Sequence, residues 1–246
     1  MTVKTQKTLI AIPTYNERDN ARRMCEAIHE LGIETDLLFV DDASPDGTGE
    51  VLESMKERFP RLIVHHRAGK LGIGSAHIEM ILWAYDQGYE TLVTLDCDFT
   101  HSPQDIPKMM EAVKGYEVSV GTRFVREDSL PGWTAARKAL TRGGHFLTSK
   151  FLGMPFDTSG AFRVYDLTRI PRGLFNLIRA TGYAFFFESL FILVRNGMRI
   201  NEIPIVLPSR ESGSSKMSMV EIGRWGWRLV SLSVQSLILP NHFKLK

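Results

Sequence analysis

Short apolar segments alternate with helix-spaced apolar positions along the first two-thirds of the chain. Five apolar runs have the length of buried strands, at residues 9–12, 37–40, 62–64, 91–95 and 118–120. Between these runs apolar residues recur every three or four positions, as in Ala21, Met24 and Ile28, which indicates helices that pack on one face. Strands separated by such helices predict an α/β fold with a mostly parallel central sheet flanked by helices.

The last third of the chain has a less regular pattern. Residues 183–194 are apolar except for Glu188, which predicts a buried or interfacial helix, and residues 199–207 alternate around prolines, which favours an edge strand. A polar Gly/Ser-rich loop precedes the last predicted helix. On that helix, polar residues three and four positions apart form one stripe, at Glu221, Arg224, Arg228, Ser231 and Gln235.

Polar residues gather directly after four of the predicted strands. Ligands of parallel α/β sheets bind beyond the carboxyl ends of the strands, so these residues are candidates for one site. They are Pro13, Tyr15 and Glu17 after the first strand, Asp41 and Asp42 after the second, Asp96, Cys97 and Asp98 after the fourth, and Arg123 after the fifth.

Asp96 and Asp98 are the sharpest of these candidates. Two carboxylates two residues apart at a strand end can reach one hard cation, and Mg²⁺ takes one or two carboxylates and completes its shell with phosphate oxygens. A diphosphate leaving group needs that neutralisation of charge. The pattern is common by chance in loops that face water, and its position after a strand favours the functional interpretation.

The neighbouring motifs each keep a structural alternative. Asp41 and Asp42 stand in a turn-forming segment where Asp46 or Thr48 can cap the next helix, and one carboxylate remains for a base or ribose. Tyr15 either stacks on a base or closes the edge of the core. The glycines at positions 69, 72 and 74 lack the spacing of a phosphate loop and predict a flexible connection.

Arginines and lysines suit phosphate, although each alone is more often a solvated surface residue. The candidates are Arg123, Arg137, Arg163, Arg210 and Lys216.

Composition narrows the class of protein. The chain has 246 residues and a formal net charge of +2, which does not point to nucleic acid. Cys25 and Cys97 are its two cysteines, so a reducing cytosol is expected. We expect neither a signal peptide nor a membrane-spanning helix, because no uncharged apolar run reaches about 18 residues. The histidines form no metal-ligand pattern, and no Ser-His-Asp or Cys-His arrangement is evident.

Several motifs, in order, resemble the family-2 glycosyltransferases of GT-A fold, and more closely the dolichol-phosphate mannose synthases and related polyprenyl-phosphate glycosyltransferases. The motifs occupy residues 13–17, 41–48, 96–98, 121–124, 157–163 and 210–216, together with Arg137. The resemblance implies a GT-A catalytic domain over residues 1–216 and a C-terminal amphipathic helix and tail over residues 217–246. It also implies a Mg²⁺ or Mn²⁺ ion.

The resemblance implies roles residue by residue. Pro13, Tyr15, Glu17 and Asp42 match positions that hold the nucleoside, and Asp96 and Asp98 match the metal and diphosphate site, with Cys97 between them. Arg123, Arg137, Arg210 and Lys216 match positions that contact phosphates, and Asp157 and Arg163 match a motif near the sugar and acceptor. Asp98, Arg123, Arg137, Asp157 and Arg163 are therefore the expected catalytic residues. The polar residue that often follows the family's metal motif is replaced by Phe99-Thr100-His101, so Thr100 is a weak candidate for the third ligand.

The implied reaction is an inverting transfer of a hexose, mannose from GDP-mannose by closest resemblance, to a polyprenyl phosphate. The expected location is the cytoplasmic face of a membrane, where the last helix lies in the interface or packs on the domain or in a dimer. A UDP-glucose donor is the nearest alternative. A soluble saccharide acceptor would need a base, for which Glu188 is the candidate. A non-catalytic nucleotide-sugar-binding protein and a nucleotidyltransferase are further alternatives.

Overall fold

The computed structural model describes residues 7–209, 219–239 and 241–245. Within them, seven strands form one sheet: β1 Thr8–Thr14, β2 Asp36–Asp41, β3 Leu62–His66, β4 Thr91–Thr94, β5 Val118–Thr122, β6 Arg163–Asp166 and β7 Ile200–Pro204. The α-helices are α1 Arg18–Glu30, α2 Thr48–Met55, α3 Ile73–Asp86, α4 Ile106–Ala112, α5 Ala135–Leu152, α6 Phe185–Arg195 and α7 Met219–Ile238. Short 3₁₀ segments occupy Pro103–Asp105 and Arg172–Leu177.

The sheet has the strand order β3-β2-β1-β4-β6-β5-β7. Strands β1, β2, β3 and β4 run parallel, and β6 runs antiparallel to both β4 and β5. Strand β1 lies between β2 and β4, and the strand order reverses direction at this point. In such sheets a ligand binds where the order reverses, so its crevice is expected between the carboxyl ends of β1 and β4. Because β6 is antiparallel, the loop that precedes it lies at this same edge.

Two apolar clusters cover the two faces of the sheet. Along β1 the side chains alternate, so Leu9 and Ala11 belong to one cluster while Ile10 and Ile12 belong to the other. The second cluster packs against α1, α2 and α4, and the first packs against α3, α6 and part of α7. Helices on both faces explain why the central strands are continuous apolar runs.

The structure confirms the predicted α/β class, the five predicted strands, the edge position of β7 and the buried helix around Glu188. Strand β6 was missed. Its buried Arg163 interrupts the apolar pattern that marks the other strands, and this arginine is compatible with the core only because its guanidinium is fully hydrogen-bonded. Among the described residues, none of the helices is long and apolar enough to cross a bilayer.

Helix α7 packs on the domain through one face. Leu229 and Leu232 are buried, and the Trp225 ring meets the Phe187 ring edge to face at 5.3 Å. The tail beyond α7 is fastened by Asn196, whose amide donates to the Phe243 carbonyl at 2.7 Å. The proposed boundary after residue 216 falls outside the described residues and stays a prediction.

Candidate active site

A cavity of about 430 Å³ opens at the carboxyl edge of the sheet. The structure brings nine of the predicted site residues to its wall: Pro13, Tyr15, Glu17, Asp42, Asp96, Cys97, Asp98, Arg123 and Arg137. Residues at distant sequence positions thus meet because their strands end at one edge. Asp157 and Arg163 do not line this cavity, and Arg210 and Lys216 lie outside the described residues.

The loops after β1 and β2 are joined by side-chain hydrogen bonds. Asp41 accepts the Ser44 hydroxyl and backbone N–H, and the Ser44 oxygen in turn accepts the Asn16 N–H at 3.0 Å. Asp41 and Ser44 therefore serve the turn, which leaves Asp42 as the carboxylate of this pair that reaches the cavity.

Asp46 makes a second connection between these loops. Its carboxylate accepts the Thr48 N–H at the start of α2 and the Arg18 N–H at the start of α1. Burial alone would raise the pKa of Asp46, but these bonds and the Thr48 hydroxyl hold that pKa below its usual value. The N-cap residue of α2 is Gly47, and not the predicted Asp46 or Thr48; Asp46 accepts the first N–H of the helix from one position earlier.

Asp42 is paired with a buried arginine. Arg67 Nη1 donates to Asp42 Oδ1 at 2.5 Å, and the side chains of Arg67 and Asp42 are 3% and 9% exposed. Sequence analysis did not select Arg67, because a basic residue after two histidines gives no periodic signal. Its part in the site depends on tertiary contacts.

Lys70 is a further cavity residue that the sequence analysis missed. Its ammonium lies 4.2 Å from the centroid of the Tyr15 ring, and both side chains line the cavity. A cation on an aromatic face is a favourable contact. The positive charge of Lys70 therefore lies over the Tyr15 ring, beside the position predicted for the nucleoside.

The Asp98 carboxylate is oriented by its own loop. The Thr100 N–H and hydroxyl both donate to Asp98 Oδ1, at 3.1 and 2.6 Å. Thr100 thus supports Asp98, which is a different role from that of a separate metal ligand. His101 Nδ1 accepts the Asp96 N–H at 3.3 Å and lies 3.5 Å from its carboxylate.

The donor set fits a hard cation that shares its shell with phosphate. Among the described residues no group of three or more His, Cys, Asp or Glu side chains is arranged to hold a metal. Asp96 and Asp98 supply two carboxylates on one wall of the cavity. That matches the way Mg²⁺ is held by one or two carboxylates plus substrate oxygens, and it does not match an all-protein cage.

Arg123 is fixed by the buried Asp157. Asp157 Oδ2 accepts Arg123 Nε at 2.9 Å, and Oδ1 accepts the Ser159 N–H and hydroxyl. Burial would raise the pKa of Asp157, but the Arg123 charge and these hydrogen bonds hold it below its usual value. Asp157 therefore reaches the cavity wall through Arg123 and Ser159, and its predicted catalytic role stays a prediction.

Arg163 is likewise structural in its contacts. It is 1% exposed and donates to the carbonyls of Gly160, Thr158 and Phe186 and to the Ser189 hydroxyl. The guanidinium thereby fixes the loop before β6, which lines the cavity at Ser159 and Gly160. Its position behind the wall does not support the predicted direct catalytic role.

Arg137 stacks on an aromatic platform. Its guanidinium carbon lies 3.6 Å from the centroid of the Trp133 ring, and both residues line the cavity. Thr134 caps the first turn of α5 by accepting the Arg137 N–H at 3.3 Å. Arg123 and Arg137 thus bring two guanidinium groups to the same cavity.

Glu188 lies outside the cavity and is completely buried. Its carboxylate accepts two bonds from Arg228 and the N–H groups of Arg179 and Ala180. A carboxylate saturated by four donors and closed to solvent has no access to an acceptor hydroxyl. The hypothesis that Glu188 is a catalytic base is therefore wrong.

Three non-glycine residues of the described chain have left-handed backbone, with φ between 54° and 58°. They are Asn16, Ala43 and Phe99. Each directly follows a cavity residue, namely Tyr15, Asp42 and Asp98. Such conformations cost free energy and cluster at functional sites, so all three strand ends turn sharply where they meet the cavity.

The glycines before and within α3 serve close packing. A Cβ atom on Gly72 would lie 2.6 Å from the Thr181 carbonyl oxygen, and one on Gly74 would lie 2.6 Å from Phe185 Cβ. The absence of side chains lets the first turn of α3 touch the cavity wall around residue 182. Close approach explains Gly72 and Gly74, whereas a Cβ atom on Gly69 would meet nothing within 4 Å, and the predicted flexible connection stays a prediction.

The comparisons with known proteins agree with this geometry. The model of Glycosyl transferase family 2 matches residues 9–181. The chain belongs to glycosyl transferase family 2. It is a glycosyltransferase.

Two curated relatives match over most of their length. The undecaprenyl-phosphate mannosyltransferase of Micrococcus luteus is 34% identical over 228 residues, which cover 89% of this chain and 94% of that protein. The polyprenol monophosphomannose synthase of Mycolicibacterium smegmatis is 32% identical over 234 residues, which cover 91% and 88%. The predicted resemblance to polyprenyl-phosphate glycosyltransferases is thereby confirmed.

Two solved structures share the fold at low identity. Mannosyl-3-phosphoglycerate synthase from Rubrobacter xylanophilus has a TM-score of 0.66 at 17% identity, covering 98% of this chain and 76% of that one. Glucosyl-3-phosphoglycerate synthase from Mycobacterium tuberculosis, in complex with Mn²⁺, UDP and its product, has a TM-score of 0.64 at 16% identity, covering 94% and 80%. These similarities confirm the GT-A architecture.

Proposed function

We propose that this glycosyltransferase moves a hexose from a nucleotide-sugar to a polyprenyl phosphate, with mannose from GDP-mannose as the first candidate. The observation that carries the proposal is a single cavity that combines Asp96 and Asp98 with Arg123 and Arg137. Both curated relatives are named for mannose transfer to a polyprenyl phosphate, which supports the sugar and the acceptor.

The chemistry follows from the charges on the wall. A phosphate oxygen of the acceptor attacks the anomeric carbon, the bond from that carbon to the diphosphate breaks, and the nucleoside diphosphate leaves. The configuration at the anomeric carbon of the transferred hexose is thereby inverted. The attacking oxygen is already an anion near neutral pH, so this route needs no strong base. Positioning and stabilisation of charge by Arg123 and Arg137 would then supply much of the rate.

Asp96 and Asp98 are the residues that would hold a divalent cation, Mg²⁺ or Mn²⁺. When bound, the ion neutralises the charge that develops on the leaving diphosphate. The Mn²⁺ and UDP in the mycobacterial neighbour support this assignment by analogy of fold. Tyr15, Lys70 and Asp42 also line the cavity, and we propose that they hold the nucleoside.

We further propose that α7 and α5 rest on a membrane surface, with the enzyme peripheral on the cytoplasmic face. The side of α7 opposite its packed face exposes apolar residues spaced three and four apart: Trp227 at 74%, Val230 at 55%, Val234 at 47% and Leu237 at 83%. On α5, which packs against α7, Leu140 and Phe151 are also exposed, at 62% and 59%. An exposed apolar band of this kind suits the boundary between headgroups and acyl chains.

In this proposal, one face of the last helix packs on the domain and the opposite face lies on the membrane, so the two alternatives for this helix apply to different faces. Arg228 and Trp225 face the protein, so the polar stripe does not point as a whole to headgroups. The apolar face that includes Trp227 is the one available to lipid. A lipid-linked acceptor at such a surface would reach the cavity from the bilayer.

The reaction is tested by a screen of donors and acceptors with the purified protein. Each labelled nucleotide-sugar is supplied with Mg²⁺ or Mn²⁺ and either a short polyprenyl phosphate or 3-phosphoglycerate, and label is followed into the organic phase. Label from GDP-mannose in the lipid alone is the expected result. Transfer from UDP-glucose would correct the donor, and label only in a water-soluble product would contradict the lipid acceptor.

A further inference from the structure

Arg67 lies behind the nucleoside end of the cavity and connects three segments of the fold. Besides its bond to Asp42, its Nη2 donates to the Ser75 hydroxyl at 2.7 Å, and its Nε donates to Glu79 Oε2 at 2.8 Å. Its backbone N–H donates to the Asp41 carbonyl at 2.8 Å. All three guanidinium nitrogens are thereby used between the end of β2 and the first turns of α3.

We propose that Arg67 is a positioning residue for nucleoside recognition, which it serves by fixing the carboxylate of Asp42. The inference rests on the proposed nucleotide-sugar donor. Arg67 does not line the cavity, whereas Asp42 does, so Arg67 acts on a ligand indirectly, through the Asp42 carboxylate that it holds.

The rigidity of the guanidinium makes this contact directional. Arg67 presents its donors in a planar fork, and Ser75 and Glu79 hold that fork in place from α3. Arg67 takes up Oδ1, and the Leu71 N–H also bonds the Asp42 carboxylate. A carboxylate accepts about four hydrogen bonds, so lone pairs remain for N–H or O–H groups of a base or ribose.

The same contacts connect Asp42 to the first turns of α3. Ser75 follows Gly72 and Ile73, which also line the cavity, and its hydroxyl donates to the Gly72 carbonyl at 2.7 Å. Arg67 therefore fixes the distance between Asp42 and the start of α3. The buried positive charge is balanced by two carboxylates, Asp42 and Glu79.

The test compares two ligands that differ in the nucleoside. Dissociation constants of GDP, UDP and pyrophosphate, each with Mg²⁺, are measured by calorimetry for the wild type, Arg67→Met and Arg67→Lys. We expect both variants to weaken binding of the preferred nucleotide by about 10-fold to 100-fold, because a misplaced carboxylate loses one or two hydrogen bonds. Pyrophosphate binding should stay within about 2-fold, since it lacks the group that Asp42 meets.

Coupling to Asp42 provides the second readout. If Arg67 acts through Asp42, adding Arg67→Met to Asp42→Asn should cause little further loss, which a merely structural role would not produce. Should Arg67→Met fail to fold, Ser75→Ala and Glu79→Gln each disturb one partner of Arg67 and should weaken nucleotide binding alone by about 3-fold. Arg172→Met, which disturbs only the surface pair with Asp86, is the matched control and should change neither ligand.

The outcomes separate this inference from the proposed function. Equal losses for nucleotide and pyrophosphate, or unchanged nucleotide binding, would overturn the positioning role while leaving the donor site intact. A wild-type protein that binds pyrophosphate with Mg²⁺ but neither nucleotide would overturn the proposed donor, and the inference would fall with it.

Discussion

At the scale of single residues, the site depends on side chains that never touch the cavity. Arg67 and Asp157 each hold one cavity residue, Asp42 and Arg123, through a buried ion pair. Sequence patterns place the cavity residues because they follow apolar strands. The supporting residues follow no such rule, because their importance comes from contacts across the fold.

Acid stability reports on the pair between Asp157 and Arg123. The folded-state pKa of Asp157 is lowered, so its contribution is fully present above the usual value of about 3.9 and is lost as pH falls through the folded-state pKa. Asp157→Asn should lower the free energy of unfolding at pH 7 by about 3–5 kcal/mol and flatten its dependence on pH below 4, as measured by urea unfolding. Asp128→Asn, in an exposed pair with Arg126, is the control and should change little; an equal effect in both variants would contradict the account.

Metal binding should depend on nucleotide. Because Asp96 and Asp98 supply only two carboxylates, free protein should bind Mn²⁺ at roughly millimolar strength, and GDP or UDP should tighten binding by at least about 10-fold. The free Mn²⁺ signal in electron paramagnetic resonance measures both constants. Tight Mn²⁺ binding without nucleotide would show that a third protein ligand has been overlooked.

At the scale of elements, the sequence predicted five strands because parallel strands buried on both faces are continuous apolar runs. It missed β6 because Arg163 breaks that pattern. It also placed Glu188 on a buried helix but could not show that Arg228, 40 residues further along, satisfies its charge. Long-range pairing of this kind leaves no local signal.

The pair between Glu188 and Arg228 should determine how firmly α7 is held. Arg228→Met leaves a completely buried carboxylate without its cation, and we expect a loss of about 3 kcal/mol in the free energy of unfolding. Arg224→Met, one turn earlier on the same helix, disturbs a pair whose arginine is 73% exposed and should have little effect. Chemical denaturation measures the free energy of unfolding of both variants. Equal values for Arg228→Met and Arg224→Met would show that the buried pair is not important for α7.

At the scale of the whole molecule, the cavity, α5 and α7 suggest one orientation on a membrane. The exposed apolar residues Trp227 and Leu237 lie on α7, and the first turn of the same helix lines the cavity at Glu221. The sequence predicted an amphipathic last helix, but the division into a packed face and an exposed face required the tertiary structure.

Vesicle flotation tests that orientation. Trp227→Glu should reduce binding to anionic lipid vesicles by about 10-fold, because it removes a large apolar side chain and adds a negative charge. Tyr116→Glu places the same charge just before β5, at the opposite edge of the sheet, and should float as the wild type does. Equal flotation of the two variants would place the lipid contact elsewhere.

The most direct test of the account is transfer of labelled mannose from GDP-mannose to a short polyprenyl phosphate by three proteins: wild type, Asp98→Asn, and Asp86→Asn as an exposed carboxylate control. The account predicts metal-dependent label in the lipid for wild type and Asp86→Asn, and a loss of at least about 100-fold for Asp98→Asn. Undiminished transfer by a folded Asp98→Asn protein would contradict the claim that this cavity is the active site.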